Sequence, residues 1–133
     1  MKMSPNNWGP PLWHAINIIA RCYPQNPSIS DMRNYRAFFT ALGNVLPCPK
    51  CQRHYRAHLA ALGTIPVGSR TQLVDFVAQL HNRVNSATGK AIMPLPEARA
   101  HIMAAGKSGN MPPLAKYIAV AIVVMAILQF VTR

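Results

Sequence analysis

The chain has 133 residues, 50% of them apolar, and carries 14 lysines and arginines against three acids, for a net charge of +11. That length allows one modest domain, and three cysteines are too few for the disulfide framework of a small secreted protein. The basic residues are dispersed and no aromatic-interleaved basic motif occurs, which argues against a nucleic-acid-binding module; a surface drawn to anionic lipid headgroups accounts for the charge as well.

No continuous apolar segment with a small-residue cleavage site opens the chain, so no signal peptide is expected. The first predicted helix spans 10–22. It begins at the Pro10-Pro11 pair and carries Leu12, Ile16, Ile19 and Ala20 on one face. The stretch PQNPSIS reads as a loop, with Ser30 as N-cap of a second helix over 31–45 whose apolar stripe is Met32, Tyr35, Phe38, Phe39, Leu42 and Val45. A third helix starts at LPCPKC and runs to about Leu62. GTIPVGS breaks it, and Ser69 caps a fourth over 70–87 that turns Leu73, Phe76, Val77, Leu80 and Val84 to one side. A short fifth helix has Pro96 in its first turn and Gly106 as its stop. The predicted fold class is all-α, a four-helix bundle plus a short fifth helix, with no convincing strand.

Beyond a linker at 106–113, the segment 114–132 reads LAKYIAVAIVVMAILQFVT. It is apolar around every face, which suits a single C-terminal transmembrane anchor, with Lys116 snorkelling to the headgroups. An anchor made last inserts after translation, so the domain at 1–105 is expected on the cytosolic side, at a virion or endoplasmic reticulum membrane.

The chemistry centres on LPCPKCQRHY, where Cys48 and Cys51 stand two residues apart. A structural zinc site wants four ligands. Cys48 and Cys51 with His54, His58 or His81 could approach that number, which would make the chain a zinc-stapled, membrane-anchored adaptor. A purely structural disulfide over so short a loop constrains the unfolded chain little. The redox reading has positive support. Pro49 suits a first helical turn, so both cysteines lie at a helix N-terminus, where free N–H groups, the helix dipole, Lys50 and Arg53 favour thiolate. Thioredoxin-like proteins use such a pair on a βαβ sheet, whereas this chain offers helices, so the electrons need another destination.

Three motifs in order, WGPPLWHAI, LPCPKCQRHY and LHNRVNSATGK, resemble the Erv/ALR family of FAD-dependent sulfhydryl oxidases, in particular its minimal viral members, over roughly 7–94. The resemblance implies a helical bundle holding FAD beside the cysteine pair, usually as a homodimer, that forms disulfides in substrate proteins and passes the electrons to O2, giving H2O2. It implies that Cys51 lies against the flavin and that Cys48 receives the incoming thiol. Trp13 matches a tryptophan packed on the cofactor, and Gly9 a position of close backbone approach. Asn17, Tyr23, His54, His81, Asn82, Val84, Asn85 and Lys90 match further FAD-lining positions. The polar residues of the fourth helix support this, since His81 and Asn85 lie one turn apart and can bond adenine, ribose or pyrophosphate, with Lys90 offering charge to phosphate.

The chain also departs from the family pattern. Pro10 replaces an arginine, Asn17 a histidine and Ala78 a cysteine; a long-range C-x16-C disulfide is missing, and no flexible segment carries a shuttle cysteine pair. Substrate thiols are therefore expected to reach Cys48 directly, from a thioredoxin-like dithiol carrier. No metal and no nucleic acid are expected in the site. His58 and His101 match no motif position. Cys22 is expected as a small buried hydrophobe, with Cys22→Ser costing about 1 kcal/mol.

Overall fold

A computed structural model describes residues 3–107, in which five helices follow one another: α1 (Pro5–Arg21), α2 (Ile29–Val45), α3 (Pro49–Leu62), α4 (Arg70–Ala87) and α5 (Leu95–Ala104). Among the described residues there is no strand, as predicted. No helix among them is long and apolar enough to cross a membrane, and the expected anchor at 114–132 lies outside the described residues.

Two helix starts differ from the sequence reading. α1 begins at Pro5, not at Pro10, because Ser4 caps it by accepting the Asn6 N–H, and Pro5 takes the first-turn position instead. Pro10 and Pro11 fall inside the helix; their missing N–H groups would have bonded the carbonyls of Asn6 and Asn7, which are exposed, so water can satisfy them. α2 is capped by Ser28 rather than Ser30. Ser28 Oγ accepts the Asp31 N–H at 3.1 Å, and Asp31 Oδ2 accepts the Ser28 N–H at 2.8 Å, a reciprocal pair that Ser30 has no partner to make. α3 and α4 start as expected, at the caps Cys48 and Ser69.

α4 is the central element. It buries Leu73, Val74, Phe76, Val77, Ala78 and Leu80, nearly all round its N-terminal two-thirds, and packs on α1, α3 and α5. α2 rests on α3, closely enough at Gly43 that a Cβ there would sit 2.8 Å from Arg56 Cγ. Two contacts orient α1 antiparallel to α4: Arg70 Nε donates to the Tyr23 carbonyl at one end, and Trp13 meets His81 at the other. Two more orient α5 antiparallel to α4: Arg99 Nε and Nη2 donate to the two carboxylate oxygens of Asp75, and the Asn82 amide is held by Met93. The short link 63–69 returns α4 alongside α3. The N-terminal half of α1, the disulfide end of α3, the C-terminal half of α4 and the start of α5 therefore meet at one end of the bundle. There α4 changes from apolar to polar, at His81-Asn82-Arg83.

Candidate functional site

Cys48 and Cys51 are joined by a disulfide. Cys48 is the N-cap of α3, with its Sγ 3.2 Å from the Cys51 N–H that points at it. The two sulfurs differ in setting. Cys51 packs against the hydrophobic core, whereas Cys48 lies outside that cluster, between the exposed prolines Pro47 and Pro49. A helix N-terminus with an N–H aimed at sulfur stabilises the thiolate form. Gln52 donates to the Leu46 carbonyl at 2.8 Å and fastens the approach to the motif. Among the described residues no three histidines, cysteines or acids gather as a metal site, so the zinc-adaptor alternative finds no ligand set there.

Gly9, Trp13 and Asn17 fall at i, i+4 and i+8, one stripe of α1. A Cβ on Gly9 would meet nothing within 4 Å. Trp13 stacks on His81, with ring centroids 4.0 Å apart and planes 8° from parallel. Asn17 is only 2% exposed, and its Oδ1 is buried without a hydrogen-bond partner. An orphaned buried amide oxygen is costly unless something outside the chain serves it.

On α4, His81 and Asn85 line a cavity of about 50 Å³ with Asn82, Met93, Ala98 and His101. Burial pulls the His81 imidazole down to about 4, with the charges of His101 and Lys90 adding to the effect, so the ring is neutral in the fold and offers one donor and one acceptor. Asn82 is already engaged. It donates Nδ2–H to the Met93 carbonyl at 2.7 Å and accepts the Met93 N–H at 3.0 Å, which clamps the 88–94 segment against α4. Val84 is half-buried, and its carbonyl accepts from the Thr88 N–H and hydroxyl at the end of the helix. Lys90 is exposed; its N–H closes the turn onto the Asn85 carbonyl past Gly89, at φ 70°. His54 is exposed on α3. His58, half-buried one turn on, is pushed down by burial and by Arg83 and His54.

Tyr23 is 0% exposed, donates its hydroxyl to the Val67 carbonyl at 2.7 Å and packs on Tyr35, so it pins the end of α1 to the α3–α4 link. One expectation is corrected. Cys22 is exposed rather than buried, because α1 stops at Arg21 and the cysteine caps it on the outside. His101 was passed over in sequence for want of a motif. It reaches the His81 cavity only because α5 folds back on α4, and no local pattern signals that.

A dithiol–disulfide pair at a helix N-terminus, on a bundle of helices with a polar end rich in imidazole and amide groups, defines a redox protein of the thiol-exchanging class. The chain belongs to the Erv1/Alr family, which it matches over residues 10–103. It is similar to the probable FAD-linked sulfhydryl oxidase of Acanthamoeba polyphaga mimivirus, 40% identical over 98 residues that cover 72% of this chain and 68% of that one. It is also similar to the FAD-linked sulfhydryl oxidase ERV1 of Oryza sativa subsp. japonica, 27% identical over 66% of this chain and 45% of that protein, so it spans under half of that relative's length. In fold it is similar to the FAD binding domain of Erv1 from Saccharomyces cerevisiae, with a TM-score of 0.71 at 20% identity, covering 76% of this chain and 95% of that one.

Proposed function

We propose that this chain is an FAD-linked sulfhydryl oxidase that forms disulfides in protein thiols through Cys48 and Cys51. The observation that carries the reading is the unequal setting of the two sulfurs, one on the core and one at the outer tip of α3. The residues present fit FAD. Asn17 has a buried, unserved amide oxygen, the Gly9 side of α1 is open, and a neutral His81 stands beside Asn85 on a cavity wall. Trp13 with His81 supplies an aromatic surface, and Lys90 a charge for phosphate. Asn82 serves as a positioning residue through its clamp on Met93 rather than as a direct contact.

A substrate thiolate attacks Cys48 Sγ. The Cys48–Cys51 bond breaks, Cys51 leaves as thiolate, and a mixed disulfide joins substrate to Cys48. A second substrate thiolate attacks its own partner sulfur in that mixed disulfide and releases Cys48 as thiolate, leaving a substrate disulfide and the two protein sulfurs reduced. The Cys51 N–H directed at Cys48 Sγ and the α3 N-terminus lower the cost of that second departure. FAD, when bound, supplies the two-electron acceptor that returns the pair to a disulfide and that O2 reoxidises to give H2O2.

Replacing Cys51 by Ser abolishes oxidation of dithiothreitol, measured by thiol loss and oxygen uptake, while flavin absorbance per chain stays at the wild-type value. Loss of flavin and fold together in that variant would assign the pair a structural role instead.

The finer features belong to the same reading. The apolar run 114–132 anchors the domain at 1–105 through the linker 106–113, with the site on the cytosolic face; deleting 112–133 then frees the protein from vesicles with dithiothreitol oxidation unchanged. A thioredoxin-like dithiol carrier delivers electrons to Cys48. Homodimer formation is supported by the outer side of α2, which carries Ile29 at 81% exposure.

A further inference from the structure

The distribution of charge around the disulfide carries one more step, which rests on the oxidase reading. The whole chain has three acids. Asp31 is held in the α2 capping box, Asp75 is paired with Arg99, and Glu97 sits in the first turn of α5. The two aspartates are thereby engaged, and among the described residues none of the three acids pairs with Lys50 or Arg53. Four arginines instead spend their donors on carbonyls that close the fold: Arg21 on Ala105, Arg36 on Ile65, Arg56 on Gly43 and Arg70 on Tyr23. Lys50 and Arg53 do neither. Both are exposed on the outer face of α3, make no hydrogen bond, and follow Cys48 within two turns of helix, roughly 8 Å along the axis. His54 adds a third basic side chain on the same exposed face. Val45, 67% exposed, and the exposed Pro47 and Pro49 flank Cys48 in the chain.

We infer that Lys50 and Arg53 form an electrostatic docking collar that selects protein thiols whose reactive cysteine is flanked by acidic residues. The cations lie where an incoming chain must pass to reach Cys48, and the end of α3 contributes its positive pole to the same field. Such a collar acts mainly on encounter and orientation, so it shows as a salt-dependent kcat/KM. The same cations could meet an anionic lipid surface, but a membrane seated on them would cover the disulfide that the reaction needs open.

The test uses the full, FAD-loaded chain with two synthetic dithiol peptides, one with its cysteines flanked by glutamates and one by lysines. The readout is the ratio of their kcat/KM values, in which any effect of the cations on thiolate stability cancels. At low salt the acidic peptide is favoured about tenfold, and the ratio falls toward one near 0.3 M salt, where screening is nearly complete beyond about 6 Å. The Lys50→Gln/Arg53→Gln pair brings the ratio close to one, and Lys50→Glu/Arg53→Glu inverts it. A wild-type ratio near one at low salt overturns the proposal, as does a preference that survives both double variants. Partition of the same full chain between phosphatidylserine and phosphatidylcholine vesicles separates the lipid case, because the apolar run 114–132 enters both alike: a phosphatidylserine preference lost in the variants with an unchanged peptide ratio assigns the patch to lipid and overturns the proposal. Failure of the wild type to oxidise dithiothreitol would instead overturn the oxidase reading, and the docking inference with it.

Discussion

Tyr23→Phe separates a structural role from a cofactor role at one atom. The Tyr23 hydroxyl donates to the Val67 carbonyl at 2.7 Å, and the two residues are 0% and 1% exposed. Burial also holds the phenol above its ordinary value, so it stays a protonated donor at all working pH. Phenylalanine keeps the ring and its contact with Tyr35 at 4.4 Å, so no large cavity opens. What disappears is one buried hydrogen bond, and a buried carbonyl loses its partner. A bond of this kind contributes about 1 kcal/mol net, and an acceptor stranded without water costs about 1–3 kcal/mol, so the expected loss is about 2 kcal/mol. For a domain of about 100 residues that lowers Tm by on the order of 10 °C. Urea unfolding followed by far-ultraviolet circular dichroism, on protein saturated with FAD, measures the stability. Visible absorbance per chain measures the flavin, which is expected to remain stoichiometric. A stability change below about 0.5 kcal/mol accompanied by weakened FAD binding would refute the reasoning and return the hydroxyl to the cofactor site.

His81 is held neutral, at about 4 in the fold against 6.5 for the free side chain, so between those pH values the unfolded chain binds the extra proton. Its contribution to stability is therefore complete above pH 6.5, falls as the pH drops toward 4 and levels off below; His81→Gln should flatten that part of the Tm–pH curve, and an unchanged slope would show that the imidazole titrates freely. Cys22 is exposed, so one thiol per native, oxidised chain should react promptly with a disulfide reagent, and Cys22→Ser should shift stability by no more than about 0.5 kcal/mol with dithiothreitol oxidation intact. A slow reaction that appears only on denaturation would place Cys22 inside.

The sequence by itself was enough for the helical class, for five helices with Ser69 and the Cys48 end correctly placed as starts, and for a cysteine pair at a helix N-terminus. These depend on local signals: apolar spacing, proline in a first turn and a capping side chain act within a few residues of one another. The start of α2 was missed because a capping box is a reciprocal geometry, and Ser28 and Ser30 look alike until Asp31 is seen to answer one of them. The fates of Tyr23, Cys22, Asn82 and His101 were settled only in three dimensions. A tyrosine facing a ligand and a tyrosine bonded to Val67 have the same neighbours in sequence, and the difference is a contact across 44 positions. Asn82 belongs to the H-N-x-V-N motif, yet its amide is claimed by Met93, which α5 carries back against α4. His101 meets His81 by the same return of the chain. Local chemistry chose the helices, while the packing of α1 and α5 on α4 chose which polar side chains are spent on the fold and which, like Asn17, are left for something else to satisfy.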